Sequence, residues 1–302
     1  MTDYRYLHLD VFTDRPFEGN QLAVFPQATG LEPAVMQQIA REMAFAETTF
    51  IFPPEGTGDI RMRIFTPAQE LPMAGHPTIG STFALAHEGV IDRAREVFTF
   101  ELGVGPTPVQ LEWEDDRLSF AWMTQKKPTF GQVAGDAGAL ARALHIDADQ
   151  VADYPLQEVS CGIPFFFLVL KTRKAVDQAE SDRLGLTRFF ADRKLPIHGL
   201  FLFTPEGASD EATVYSRMFA PSLGISEDPA TGGASGPLGC FCLKHGIIDP
   251  DRARDFVSLQ GVKMGRPSRV HISIDGTPRD ITRVRVGGKA VLVGEGTLFV
   301  SR

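Results

Sequence analysis

Residues 72–91 read PMAGHPTIGSTFALAHEGVI, and residues 229–248 read PATGGASGPLGCFCLKHGII. The two stretches align without a gap at an offset of 157, placing Gly75 on Gly232, Gly89 on Gly246 and Ile91 on Ile248. Each opens on a glycine turn, continues through small and apolar residues on every side, and stops at a glycine, as a helix does at its C-terminus. A helix with no polar face has to be buried all round. Each copy therefore predicts a sheet wrapped around one central buried helix, an α+β arrangement and not a doubly wound parallel sheet.

Two further pairs extend the repeat. Residues 46–56 (AETTFIFPPEG) match 197–207 (IHGLFLFTPEG) at an offset of 151, and residues 63–67 (RIFTP) match 217–221 (RMFAP) at 154. Three matches in one order predict two pseudo-symmetric halves. The halves are read as residues 1–122 and 123–302, with a linker near 122–132 and with C-terminal strands able to pack back on the first half. Residues 4–11, 59–65, 117–122 and 269–274 alternate as strands. Residues 32–45 predict an amphipathic surface helix with Leu31, Val35, Ile39 and Met43 on one face.

Composition narrows the function classes. In 302 residues, 43% hydrophobic and 23% charged content excludes wholesale disorder. Thirty basic against 38 acidic residues give a net charge of −8, which offers a phosphate backbone nothing to hold, so nucleic acid is not expected as a partner. Three cysteines (Cys161, Cys240, Cys242) are too few for a disulfide framework. With no apolar run of 18 residues and no basic, apolar leader, the expectation is a cytoplasmic protein with no membrane partner. Scattered histidines and the absence of H-E-x-x-H, C-x-x-C, G-x-S-x-G and P-loop patterns point to neither metal nor bound cofactor.

The chemistry is expected at the two turns. A helix N-terminus beside a glycine presents free N–H groups and the positive end of the dipole to an anion, so Gly75, His76, Gly232 and Gly233 are candidates for a substrate carboxylate. Glu47 stands between a helix end and an apolar strand. Burial among Phe45, Phe50 and Phe52 is expected to raise its pKa toward that of a general acid or base. Its counterpart at the 151 offset is His198, so the chemistry is asymmetric between the halves. His76 could position a substrate or shuttle a proton, and Asp228 could bind a substrate amine or hydroxyl.

Five segments resemble one family: EGNQLAVF (18–25), AREMAFAETTF (40–50), RIFTPAQELPMAGHPTIG (63–80), SRMFAPSLGISEDPATGGASGPL (216–238) and QGVKMGRPS (260–268). In order and content they are similar to the PhzF phenazine-biosynthesis family over essentially the whole chain. The resemblance implies a diaminopimelate-epimerase-like fold, an active site in the cleft between two halves, a homodimer and a cofactor-free isomerase. The family's named member isomerises trans-2,3-dihydro-3-hydroxyanthranilate. The resemblance carries the catalytic acid/base onto Glu47 and the turn residues onto His76 and Asp228, with Asn20, Gly75, Gly232 and Gly233 on the substrate side. Two departures remove hydroxyls: Gly233 stands where the family commonly has serine, and Ala46 precedes Glu47 where the phenazine enzyme has serine. Related two-thiol racemases need cysteines where this chain has Ala74 and Thr231, which excludes that mechanism. The competing reading is a non-catalytic binder of small carboxylates with the same cleft.

Overall fold

The structure, a computed structural model, describes residues 1–195, 199–206, 212–221 and 224–300. It is α+β and divides into two compact units, Met1–Thr124 with Gly287–Arg302, and Gln125–Val286.

The first unit runs β1 (Thr2–Val11), β2 (Asn20–Phe25), α1 (Pro33–Met43), β3 (Glu47–Phe52), β4 (Ile60–Phe65), β5 (Glu70–Leu71), α2 (Gly75–His87), β6 (Val97–Leu102), β7 (Gly105–Glu114) and β8 (Arg117–Gln125). Strand β2 lies antiparallel to β1 and parallel to β3; β4 is antiparallel to β3 and β5 and parallel to β6; β7 is antiparallel to β6 and β8. The C-terminal strand Ala290–Val300 pairs antiparallel with β1.

The sheet has two different faces because successive strand residues point in opposite directions. Tyr4, Ala23, Phe25, Phe50 and Phe65 point to one side, where they form a core with Met36, Ile39 and Ala40 of α1. The buried face of α1 thus centres on Met36, Ile39 and Ala40, with Val35 and Met43 at its margins. The four-residue spacing used for the sequence expectation drifts off a 3.6-residue helix face.

Helix α2 packs on the other side, against β1, β2 and β3. It is buried from Gly75 to Thr82 and again at Ala84 and Leu85, as its composition predicted. Contact is close at Gly80, where a Cβ would sit 2.5 Å from Leu22 Cδ2 and 2.6 Å from Val11 Cγ2. The helix stops at His87, and Gly89 takes the left-handed conformation that ends it (φ +71°).

The second unit contains β9 (Thr129–Ala134), α3 (Ala137–Ala143), β10 (Leu156–Ser160), β11 (Pro164–Val169), α4 (Arg173–Gln178), α5 (Arg183–Asp192), β12 (Leu200–Thr204), β13 (Val214–Ala220), β14 (Ile225–Asp228), α6 (Gly232–Lys244), β15 (Phe256–Gln260), β16 (Ser268–Thr277) and β17 (Asp280–Gly288). Strand β11 is antiparallel to β10 and parallel to β12; β13 is antiparallel to β12 and β14 and parallel to β15; β16 is antiparallel to β15. Helix α6 is buried along nearly its whole length against Phe167, Phe201, Phe203 and Ile272. Leu200, Leu202 and Phe219 point the other way, into a core with α3, α4 and α5. The sequence reading anticipated none of these three helices. The stretch read as a linker carries β8 through Gln125 and opens β9 at Thr129, leaving only Lys126–Pro128 between strands.

Candidate active site

Register decides which side chains meet the start of α2. Asn20 is opposite Val11, and Leu22 lies beside Glu47, so Asn20 and Glu47 share the sheet face that carries α2. Thr49, two residues along β3, confirms the direction: its hydroxyl meets Ser81 Oγ of α2 at 2.9 Å. Phe50 and Phe52 consequently lie on the α1 side of the sheet, with Phe45 at the edge of the same core. The expectation that these three rings surround Glu47 is corrected by the two-residue period of the strand. What Glu47 faces is His76.

Glu47 Oε2 lies 3.3 Å from His76 Nδ1, and Asn20 Nδ2 lies 3.4 Å from the same nitrogen. The Glu47 side chain keeps 15% of its surface exposed, whereas the whole His76 residue keeps 4%. Burial pushes the His76 pKa down to about 3, with the Gln21 backbone pulling weakly the other way. At neutral pH the ring is therefore uncharged, and its contact with Glu47 is carboxyl to imidazole, not an ion pair. Nε2 is buried with no hydrogen-bond partner among the described residues. A neutral imidazole has one ring proton to place. With it on Nδ1, the ring donates to the Glu47 carboxylate; with it on Nε2, Nδ1 accepts from the Asn20 amide or from a protonated Glu47. This arrangement can hold a proton at Glu47 or release it.

Backbone geometry supplies the neighbouring donors. Ala74 caps α2 in an extended conformation without a side-chain cap. Pro77 has no N–H and Thr78 turns its hydroxyl to the Ala74 carbonyl at 2.7 Å, so the first turn leaves the N–H groups of Gly75 and His76 without helix acceptors. Where α6 begins, Ala234 N and Ser235 N bond to Thr231 O at 3.1 and 3.2 Å, leaving the same pair of groups on Gly232 and Gly233. The Gly232 carbonyl accepts from Gln125 Nε2 at 2.9 Å. A Cβ on Gly233 would meet nothing within 4 Å.

Asp228 closes β14 and is held at this second turn. Thr231 Oγ1 donates to its Oδ2 at 2.5 Å, while Gln260 Nε2 donates to its backbone oxygen at 2.7 Å and to Thr231 Oγ1 at 3.0 Å. Gln260 Oε1 in turn accepts from Thr231 N at 3.1 Å. The sequence places Asp228 and Thr231 at this turn; the contributions of Gln260 and Gln125 emerge only from the structure. Gln260 opens the segment QGVKMGRPS that carries part of the family resemblance, but nothing in that segment points to its partners at the turn. The structure thus brings together Glu47, His76 and Asn20 in one unit, and Asp228, Gly232 and Gly233 in the other. His198 lies outside the described residues.

Known proteins resemble this chain over nearly its whole length. Residues 9–296 match the PhzC-PhzF family, described as phenazine biosynthesis-like protein. The trans-2,3-dihydro-3-hydroxyanthranilate isomerase of Pseudomonas fluorescens is 36% identical over 298 residues, covering 98% of this chain and 100% of that protein. A crystal structure of a Bacillus anthracis PhzF-family phenazine biosynthesis protein superposes with a TM-score of 0.89 at 26% identity, covering 99% and 100% of the two chains. A hydroxyproline epimerase from Agrobacterium vitis shares the fold alone, with a TM-score of 0.65 at 12% identity, covering 98% of this chain and 92% of that one. The chain belongs to the phenazine biosynthesis-like, PhzC-PhzF, family.

Proposed function

We propose that this protein moves a proton between two carbons of a small cyclic carboxylic acid, using Glu47 as its single acid/base and no cofactor. The isomerase class rests on relatives named as isomerases at 34–36% identity over nearly the whole chain. Their substrate, trans-2,3-dihydro-3-hydroxyanthranilate, is the one proposed here. The reaction is redox-neutral: one C–H bond breaks, another forms on a different carbon, and the double bonds shift to match. A carboxyl group that takes the first proton and delivers the second is sufficient as acid/base.

The observation that carries the reading is Glu47 Oε2 at 3.3 Å from a histidine that burial keeps neutral. A neutral ring lets Glu47 gain and lose its proton without creating a buried ion pair. A charged His76 would instead hold the carboxylate ionised. The N–H groups of Gly75 and His76 and those of Gly232 and Gly233 supply donors for a substrate carboxylate or developing enolate. Asp228 is assigned to a substrate amine or hydroxyl.

The proposal includes a duplicated framework and, as the family resemblance implies, a homodimer. Support for duplication comes from the pairings: β1 to β7 and β10 to β16 follow the same order of parallel and antiparallel neighbours. Arg63 binds Glu70 through two 2.7 Å contacts, and Arg217 binds Glu227 at 2.8 and 2.7 Å. Phe50 is opposite Arg63, and Leu202 is opposite Arg217. Counted from these arginines the strand offset is 152, not the 151 of the sequence match, and Glu47 corresponds to Gly199 in place of His198. A slip of one residue would exchange the two faces of the strand.

The test is conversion of trans-2,3-dihydro-3-hydroxyanthranilate by the purified full-length protein, followed by proton NMR. Catalytic conversion that Glu47→Gln reduces by about 10²–10⁴-fold is expected. No conversion, even at enzyme concentrations equal to the substrate's, would overturn the substrate assignment.

A further inference from the structure

We infer that Thr231 and Gln260 are positioning residues that hold the Asp228 carboxylate in one orientation through a one-way hydrogen-bond relay. The inference rests on the reading of Asp228 as a substrate ligand. The direction of the relay follows from which groups can donate. Gln260 is completely buried, and its amide faces three groups of one turn: the Asp228 carbonyl, the Thr231 hydroxyl and the Thr231 N–H. Only one amide orientation satisfies all three. The reverse would set Nε2 against an N–H and Oε1 against a carbonyl oxygen.

With the amide fixed, the Thr231 oxygen must accept from Gln260 Nε2. Its single proton then goes to Asp228 Oδ2, at 2.5 Å. A hydrogen bond to a charged acceptor is short and directional, so it selects one carboxylate rotamer. Gly261 makes the approach possible. It adopts φ +75°, and a Cβ there would lie 2.6 Å from the Pro229 carbonyl oxygen and 2.3 Å from that of Arg266. The end of β15 is thereby pressed against the turn that carries Asp228.

The experiment uses the full-length protein with trans-2,3-dihydro-3-hydroxyanthranilate and four variants. Thr231→Val removes the hydroxyl at constant shape, and Thr231→Ser keeps it. Gln260→Glu keeps the acceptor for Thr231 N and loses both donors. Asp228→Ala removes the end of the relay. Expected are a loss of about 10- to 100-fold in kcat/KM for Thr231→Val and Gln260→Glu, and a value within about 3-fold of the parent for Thr231→Ser. In the Asp228→Ala background, Thr231→Val should cost less than about 3-fold more, because a residue acting only through Asp228 has nothing left to act on. A crystal structure of Thr231→Val should find the Asp228 carboxylate displaced. An undiminished Thr231→Val loss without Asp228, or a carboxylate that stays in place, would overturn the relay. If Asp228→Ala alone kept parental kcat/KM, the substrate role of Asp228 would fall instead. The carboxylate position in Thr231→Val would still decide the relay, and that variant preserves side-chain volume should Gln260→Glu fail to fold.

Discussion

At the start of α2, Asn20 and Glu47 reach His76 from two different strands, and the groups that meet include two able to exchange a proton. At the start of α6, Asp228, Thr231 and Gln260 bond to one another, and Asp228 is the one titratable side chain among them. Both turns leave a pair of N–H groups ahead of a buried helix. The difference lies in what surrounds those groups: in the proposed reading one turn moves a proton and the other keeps a carboxylate still. The supporting hairpins differ in the same sense. The Arg63–Glu70 pair is partly open to solvent, with side chains 19% and 42% exposed, whereas Arg217–Glu227 is closed at 7% and 15%. Arg217 also donates to the carbonyls of Val176 and Ala179 at 3.0 and 2.7 Å. The hairpin that carries Asp228 is thus the more closely bonded of the two.

The largest effect expected from this contrast is on stability. Arg217→Ala strands a largely covered glutamate and leaves buried backbone carbonyls unpaired, and should cost about 3–5 kcal/mol in urea denaturation. Arg63→Ala should cost at most about 1 kcal/mol, since water replaces the lost partner. Equal losses would remove the distinction between the two hairpins.

A smaller effect separates the turns by pH. The folded pKa of His76, about 3, lies below the value of about 6.5 for an unfolded histidine. Between those values the unfolded chain binds more protons. The His76 contribution to stability is therefore complete above about pH 6.5 and lost as pH falls toward 3, at up to about 1.4 kcal/mol per pH unit. His76→Gln should flatten the parent's stability curve between pH 6.5 and 5 by that slope. Identical slopes would mean that the imidazole is not held neutral.

Smallest in stability is Gly233→Ser, which places a hydroxyl at the second turn where a Cβ meets no neighbour. It should change stability by less than about 0.5 kcal/mol and tighten binding of trans-2,3-dihydro-3-hydroxyanthranilate by about 10-fold in calorimetry. Unchanged or weaker binding would show that the missing hydroxyl does not face the substrate.

The central helices were legible because composition alone decides them: small and apolar residues on every side, a glycine turn before and a left-handed glycine after. The α+β class followed from the same stretch. The surroundings of Glu47 were not legible, because neighbouring phenylalanines in the sequence fall on the opposite face of a strand. Helices α3, α4 and α5 are short, and their apolar residues show no clear stripe until the sheet beneath them is in place. Glu47 itself was singled out by resemblance and by its apolar neighbours; its contact with His76 depends on the register of β2 against β3. Gln260 could not be found locally, since its three partners lie 29 to 32 residues away.

The division of labour between the turns is tested most directly by kcat and KM for Glu47→Gln and Asp228→Ala, measured side by side on trans-2,3-dihydro-3-hydroxyanthranilate. Glu47→Gln keeps size and hydrogen-bonding capacity while removing basicity, so kcat should fall about 10²–10⁴-fold with KM within a few-fold of the parent. Asp228→Ala should act mainly by raising KM. A Glu47→Gln enzyme that retains kcat within a few-fold of the parent would contradict the assignment of the proton to Glu47.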